Sequence, residues 1–137
     1  MRHTPLEVTV HPNGELTIGK IVAAMDCGFA VNPQGVEAQL QGGTIDALST
    51  ALNLEITVKG AQIVQSNFHD YPIMRIAPVP VDFEAHVLPW GDQPAGAGEM
   101  GVPPVAPALA NAIFSASGVR IRKLPIANQL KEALGKS

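Results

Sequence analysis

The stretch Gln93–Phe114, QPAGAGEMGVPPVAPALANAIF, decides between two architectures. Gly96-Ala97-Gly98-Glu99-Met100-Gly101 matches G-x-G-x-x-G. In a doubly wound α/β fold that turn joins a strand to a helix and lays a pyrophosphate on the helix N-terminus. The surroundings argue against it here. The candidate strand VDFEAHVLP ends well before Gly96, with WGDQPA in between. Pro103 and Pro104 follow Gly101, and a proline pair delays a helix instead of opening one at the third glycine. The ribose-binding acid belongs about 20 residues further on, where this chain has Gly118-Val119-Arg120. Too little chain remains for another βαβ unit. The glycines serve another purpose, and the charged residue among them, Glu99, becomes the focus.

Outward from that loop, the pattern predicts strands and helices in the order β-β-α-β-β-β-α-α. Leu6, Val8 and Val10 alternate with polar residues, Asn13-Gly14 signals a turn, and LTIGKIVAAM reads as the return strand. Val36, Leu40, Gly43, Ala47, Leu48, Ala51 and Leu52 have helical spacing. Gly42-Gly43 within that helix costs about 1 kcal/mol per glycine relative to alanine, so close backbone packing is expected at both. EITVKGAQIVQ reads as a hairpin turning at Lys59-Gly60, followed by the irregular SNFHDYPIMRIAPVP. PVAPALANAIFSAS forms a helix stopped by Gly118, VRIRKLP is extended, and IANQLKEALGK is a terminal helix. No repeat or linker divides residues 1–137, so the chain reads as a single domain. The expected class is α+β: a mixed or antiparallel sheet with two main helices packed on it.

Composition narrows the function. Hydrophobic residues make up 46% of the 137, enough for a core. A net charge of −3 gives no basic field for nucleic acid. Only 15% of residues are charged, so part of the surface is expected to face another domain or subunit. No apolar run reaches membrane-spanning length. The single cysteine, Cys27, supports neither an internal disulfide nor an iron–sulfur cluster. It reads as a small buried side chain. The four histidines, His3, His11, His69 and His86, lack metal-ligand spacing, so no protein metal site is predicted.

Glu99 has two readings from the residues alone. No charged residue occurs between it and Arg120, so it is expected to be desolvated against a neutral segment, where a carboxylate can act as a general base. Alternatively it is an exposed loop acid, or a charge at the start of the following helix.

Several segments together resemble one family. GAGEMGVPPVAPALANAIFSASGVRIRKLPI, VAAMDCGFAVNPQGVEAQLQGGTIDALSTAL and EITVKGAQIVQSNFHDYPIMR resemble the C-terminal end of the large, molybdenum-binding subunit of the xanthine dehydrogenase/aldehyde oxidase family. The resemblance is greatest to the branch that holds the beta chain of isoquinoline 1-oxidoreductase, and it runs from about Leu6 to Pro125. It implies hydroxylation of a carbon in an N-heteroaromatic ring or an aldehyde, with oxygen from water. It also implies a molybdenum–molybdopterin cofactor, in the cytosine dinucleotide form, bound mostly by parts upstream of this region. The family's Gly-x-Gly-Glu stretch carries the base, a role that falls to Glu99. Its Gln-x-x-Gly segment carries a glutamine that bonds the pterin, a role that falls to Gln39. The backbone of Gly96, Ala97 and Gly98 is placed at the cofactor or metal pocket. Ala38 and Ala47 stand where the family often has glycine, and Met100 where it often has proline. These departures leave the substrate and pocket shape open.

The implied partners are the remainder of the molybdenum-binding subunit, an iron–sulfur subunit to carry electrons away, and a small-molecule substrate. Alone, the chain is expected to be soluble or self-associating, metal-free and inactive, with 100–118 as a sticky surface. A reading of another class is a non-catalytic binding or assembly domain that keeps the fold. His69-Asp70-Tyr71 resembles the family's NF-x-D-Y stretch and reads as a structural loop with buried hydrogen bonds. Arg120, Arg122 and Lys123 read as a solvated strand end.

Overall fold

The computed structural model describes residues 2–3, 5–75, 82–88 and 90–135. The end of the irregular segment (76–80), Val81, Pro89 and the last two residues lie outside the described residues. Central to the fold is β3 (Leu16–Asp26), which carries strands on both edges. Along one edge run β1 (Arg2–His3) and β2 (Leu6–Val10), both antiparallel to it, from Arg2↔Met25 to Val10↔Leu16. Along the other runs β6 (Phe83–Leu88), parallel to β3 from Ile21↔Phe83 to Asp26↔Leu88. The sheet is therefore mixed and the fold is α+β.

The turn between β2 and β3 closes where Asn13-Gly14 predicts it, with Gly14 at φ 78° donating its N–H to the His11 carbonyl at 2.9 Å. Helix α1 (Pro33–Asn53) starts where the Asn32 side chain accepts the Gly35 N–H at 3.3 Å, with proline in the first turn. Helix α2 (Val105–Ser117) ends at Gly118, in the left-handed conformation at φ 74°. Val105, Leu109 and Ile113 recur every four residues, are wholly buried, and seat α2 on the sheet beside β2. Helix α3 (Ala127–Leu134) adds Leu130 to a core of Ile21, Leu48, Leu109, Ile113 and Ile126.

Four expectations are corrected. The uncharged 100–118 segment is not a sticky surface, because α2 turns its apolar stripe into this core. Close packing does not demand either glycine of α1: a Cβ on Gly43 would make ordinary contact with Val102 Cγ2 at 3.5 Å, and Gly42 has nothing within 4 Å. The hairpin of β4 (Val58–Lys59) and β5 (Gln62–Ile63) turns at Gly60-Ala61, one residue later than expected, with both residues at positive φ. VRIRKLP forms no strand: Ile121 enters the core, and Arg120 stacks on Phe114 at 3.4 Å from the ring centroid.

Candidate functional site

Strands β3 and β6 run parallel and end together at Asp26 and Leu88. The loops that leave them meet at this end of the sheet. The Ala95 N–H donates to the Cys27 carbonyl at 2.8 Å, and the Phe29 N–H to the Gln93 carbonyl at 3.4 Å. Gly28 bridges to Pro94 at φ 67°, and a Cβ there would collide with the Gln93 carbonyl oxygen, so only glycine fits. The Asp26 carboxylate fixes the turn by accepting the Gly28 N–H at 2.9 Å.

Beneath these loops is a small second core of Met25, Cys27 and Leu40. Ala97 and Met100 pack against it, which anchors the glycine loop on both sides of Glu99. Gly101 presses on the backbone of α1. A Cβ at this position would lie 2.7 Å from the Leu40 carbonyl oxygen, and 3.2 Å from the nitrogen and Oγ1 of Thr44. The Val102 N–H closes a turn onto the Glu99 carbonyl at 3.0 Å. With its neighbours turned inward, Glu99 is carried outward. Its side chain is exposed, not desolvated as its neutral sequence context predicts, because the apolar residues after it face the core instead of its carboxylate.

The three glycines of the motif have different duties. Gly101 is required by close approach to α1. Gly96 and Gly98 are exposed, have no positive φ, and would place a Cβ in open space. Nothing among the described residues demands glycine at either. Ala97 is half-buried in the second core.

Gln39 is exposed on α1, one turn before Gly43, the residue that faces Gly101 and Val102. Helical periodicity therefore sets Gln39 on the flank of α1 that borders the glycine loop. Gln34 and Gln41 lie on the opposite flank, lining a shallow depression with Phe83 and Ala85. Sequence reasoning missed Thr44, which is wholly buried under Gly101 with its hydroxyl unpartnered. Its one signal was a polar residue on the apolar face of a helix.

Other polar clusters lie elsewhere. Lys20 Nζ is 2.6 Å from Glu84 Oε2, and His86 Nε2 is 2.8 Å from Glu84 Oε1. Hydrogen bonding to Lys20 holds the Glu84 carboxyl below its usual range. Asp70 accepts the N–H groups of Asn67 and Ser66 at 2.9 Å each, and these lower its pKa. It organises a loop as the sequence predicts, but at the surface, without the expected burial. Among the described residues no group of His, Cys, Asp and Glu could hold a metal ion, and no helix is long and apolar enough to cross a membrane. Cys27 is buried.

Comparison with known proteins agrees with this architecture. A family model described as "Molybdopterin cofactor-binding domain" matches residues 4–80, a span that contains Gln39 and stops short of the Glu99 loop. The chain is 36% identical over 124 residues to one of the subunits of nicotinate dehydrogenase from Pseudomonas putida, a match that covers 89% of this chain and 10% of that protein. It is 34% identical over 127 residues to the beta chain of isoquinoline 1-oxidoreductase from Brevundimonas diminuta, covering 90% of this chain and 16% of the relative. It therefore spans under a fifth of the length of either. Quinoline 2-oxidoreductase from Pseudomonas putida 86 superposes with a TM-score of 0.75 at 25% identity, over 89% of this chain and 17% of that one.

Proposed function

Because the chain belongs to the molybdopterin cofactor-binding domain family, we propose that it forms the C-terminal part of a molybdenum hydroxylase's cofactor-binding subunit. In this reading Glu99 is the general base and Gln39 contributes to the pterin site. The residues present fit part of such a group. Gln39 offers an exposed amide, donor and acceptor at once, suited to the edge of a pterin. Gly96 and Gly98 leave open the volume that a Cβ would fill, so a bulky planar group can approach the backbone. Segments 21–58 and 82–119 contain no lysine or arginine, so they offer the phosphates of a cytosine dinucleotide form no side-chain cation.

When bound, the molybdenum–molybdopterin group supplies Lewis-acid and two-electron redox chemistry, oxidising a substrate carbon with oxygen from water. The contribution of this chain is positional and basic. Ala97 and Met100 hold the loop against Met25, Cys27 and Leu40, and Gly101 locks it to α1. Glu99 is thereby presented on a fixed backbone and accepts the proton released as the new carbon–oxygen bond forms, a task that needs a carboxylate at hydrogen-bond reach. The substrates are N-heteroaromatic rings or aldehydes. The two electrons leave through an iron–sulfur subunit, and the one cysteine of this chain, buried Cys27, takes no part in ligating a cluster.

The observation that carries this reading is the loop's construction: a carboxylate held outward between two inward anchors. Its exposure also favours a second reading, a non-catalytic assembly domain of the same fold. Co-expression with the remaining portion of the subunit separates the two. The first reading predicts a molybdenum-bearing complex that oxidises a heterocycle or an aldehyde, and that releases more of its pterin when Gln39 is changed to leucine. A stable complex with no turnover on any such substrate supports the second.

A further inference from the structure

We infer that the end of the sheet around Glu99 is an assembly surface. Phe29, Val31 and Trp90 form its apolar centre, and its occupant is the remainder of the molybdopterin-binding subunit, which meets it with an apolar patch bearing lysine or arginine. This inference rests on the function proposed above and adds where the two parts join. Phe29 is 56% exposed, Val31 84% and Trp90 67%. Scattered apolar residues on a surface are ordinary, but these three sit on loops fastened to each other. Gly28, which precedes Phe29, has its Cα 3.5 Å from where a Cβ on Gly91, beside Trp90, would lie. The Phe29 N–H is bonded to the Gln93 carbonyl. Aromatic side chains held on pre-formed loops are the kind of group that anchors an interface.

Charge specifies the occupant. The loops that build this end, 26–32 and 90–101, carry Asp26, Asp92 and Glu99 and no lysine or arginine, while Glu84, further back on β6, is already paired with Lys20. Asp92, two residues after Trp90, and Glu99, later in the same loop, are both exposed. A second copy of this chain would bring acid against acid, which is repulsive. A surface with cations at its rim is complementary. The relatives hold a further 84–90% of their length outside the matched region, so the polypeptide to supply it exists in them.

Hydroxyl-radical footprinting with mass spectrometry tests this on the chain alone and on the co-expressed complex. The oxidation rates of Phe29 and Trp90 are expected to fall by roughly fivefold or more in the complex, as residues at the centre of an interface lose their water. Asp92→Lys and Val31→Glu, both at exposed positions, are expected to weaken the complex about tenfold each while leaving the circular dichroism of the chain unchanged. A complex that forms and turns over with Phe29 and Trp90 still fully reactive overturns the inference and leaves the proposed function standing. Protection that rises with the concentration of the chain alone overturns it in favour of a second copy. Failure to form any complex overturns both.

Discussion

Changing Gly101 to alanine tests the construction of the Glu99 loop more sharply than any change at Glu99 itself. The added methyl would sit 2.7 Å from the Leu40 carbonyl oxygen and 3.2 Å from two atoms of Thr44. The first is a hard contact with helix backbone, which cannot swing aside as a flexible side chain can. Overpacking of this kind costs about 1–3 kcal/mol. Against that, alanine restricts the unfolded chain and returns about 0.4–1 kcal/mol. The net loss is about 1–2 kcal/mol, which for a domain of this size lowers Tm by roughly 3–10 °C. Gly96→Ala and Gly98→Ala are the matched controls. Neither Cβ meets anything within 4 Å and neither backbone has positive φ, so only the unfolded-state term remains and Tm should hold or rise slightly. Thermal melts followed by far-ultraviolet circular dichroism give the answer. If Gly101→Ala melts at or above the parent while a control variant falls, the loop is not pinned to α1 as described.

Two further predictions concern stability and pH. Thr44→Val replaces an unpartnered buried hydroxyl with a methyl of similar size, so it should raise Tm, and a marked fall would mean that the hydroxyl is satisfied in solution. The Asp70 carboxyl is held below its ordinary value of 3.8 by the Asn67 and Ser66 N–H groups. A depressed folded pKa stabilises above the unfolded value and loses that contribution as pH falls through the folded one. Protection of the Ser66 and Asn67 amides, relative to intrinsic exchange at each pH, should therefore be high at neutral pH and fall only on strong acidification, and Asp70→Asn should abolish that pH dependence. An Asn variant whose protection falls with acidification just as the parent's does would contradict this.

Much of the fold was legible because its signals are local. The Asn13-Gly14 turn, the capped start of α1 and the Gly118 stop of α2 each depend on a few neighbouring residues, and each appears where the pattern puts it. The mixed sheet was legible as a class, but the parallel pairing of β3 with β6 depends on residues some sixty positions apart and carries no local mark. The site was less transparent. A run without charges beside Glu99 suggested a neutral wall, yet the same apolar residues have helical spacing and are spent on the core. The glycine motif looked like one feature and is two: a packing constraint at Gly101 and open backbone at Gly96 and Gly98. Distinguishing them requires knowing what lies opposite each Cα. Thr44 gave only the faint signal of a polar residue on the apolar face of a helix, which is unremarkable until its hydroxyl is seen to lack a partner.

The central claim is that Glu99 removes the proton in the oxidation step. The most direct measurement is the anaerobic single-turnover rate of substrate oxidation in the molybdenum-loaded complex, compared between the parent and Glu99→Gln at equal metal content. That rate isolates chemistry from substrate binding and product release. The account predicts that the Gln variant assembles, loads metal normally, and oxidises substrate about 10²–10⁴-fold more slowly, the range expected for loss of a general base. A Gln variant that reacts at the parent's rate would show that the proton goes elsewhere.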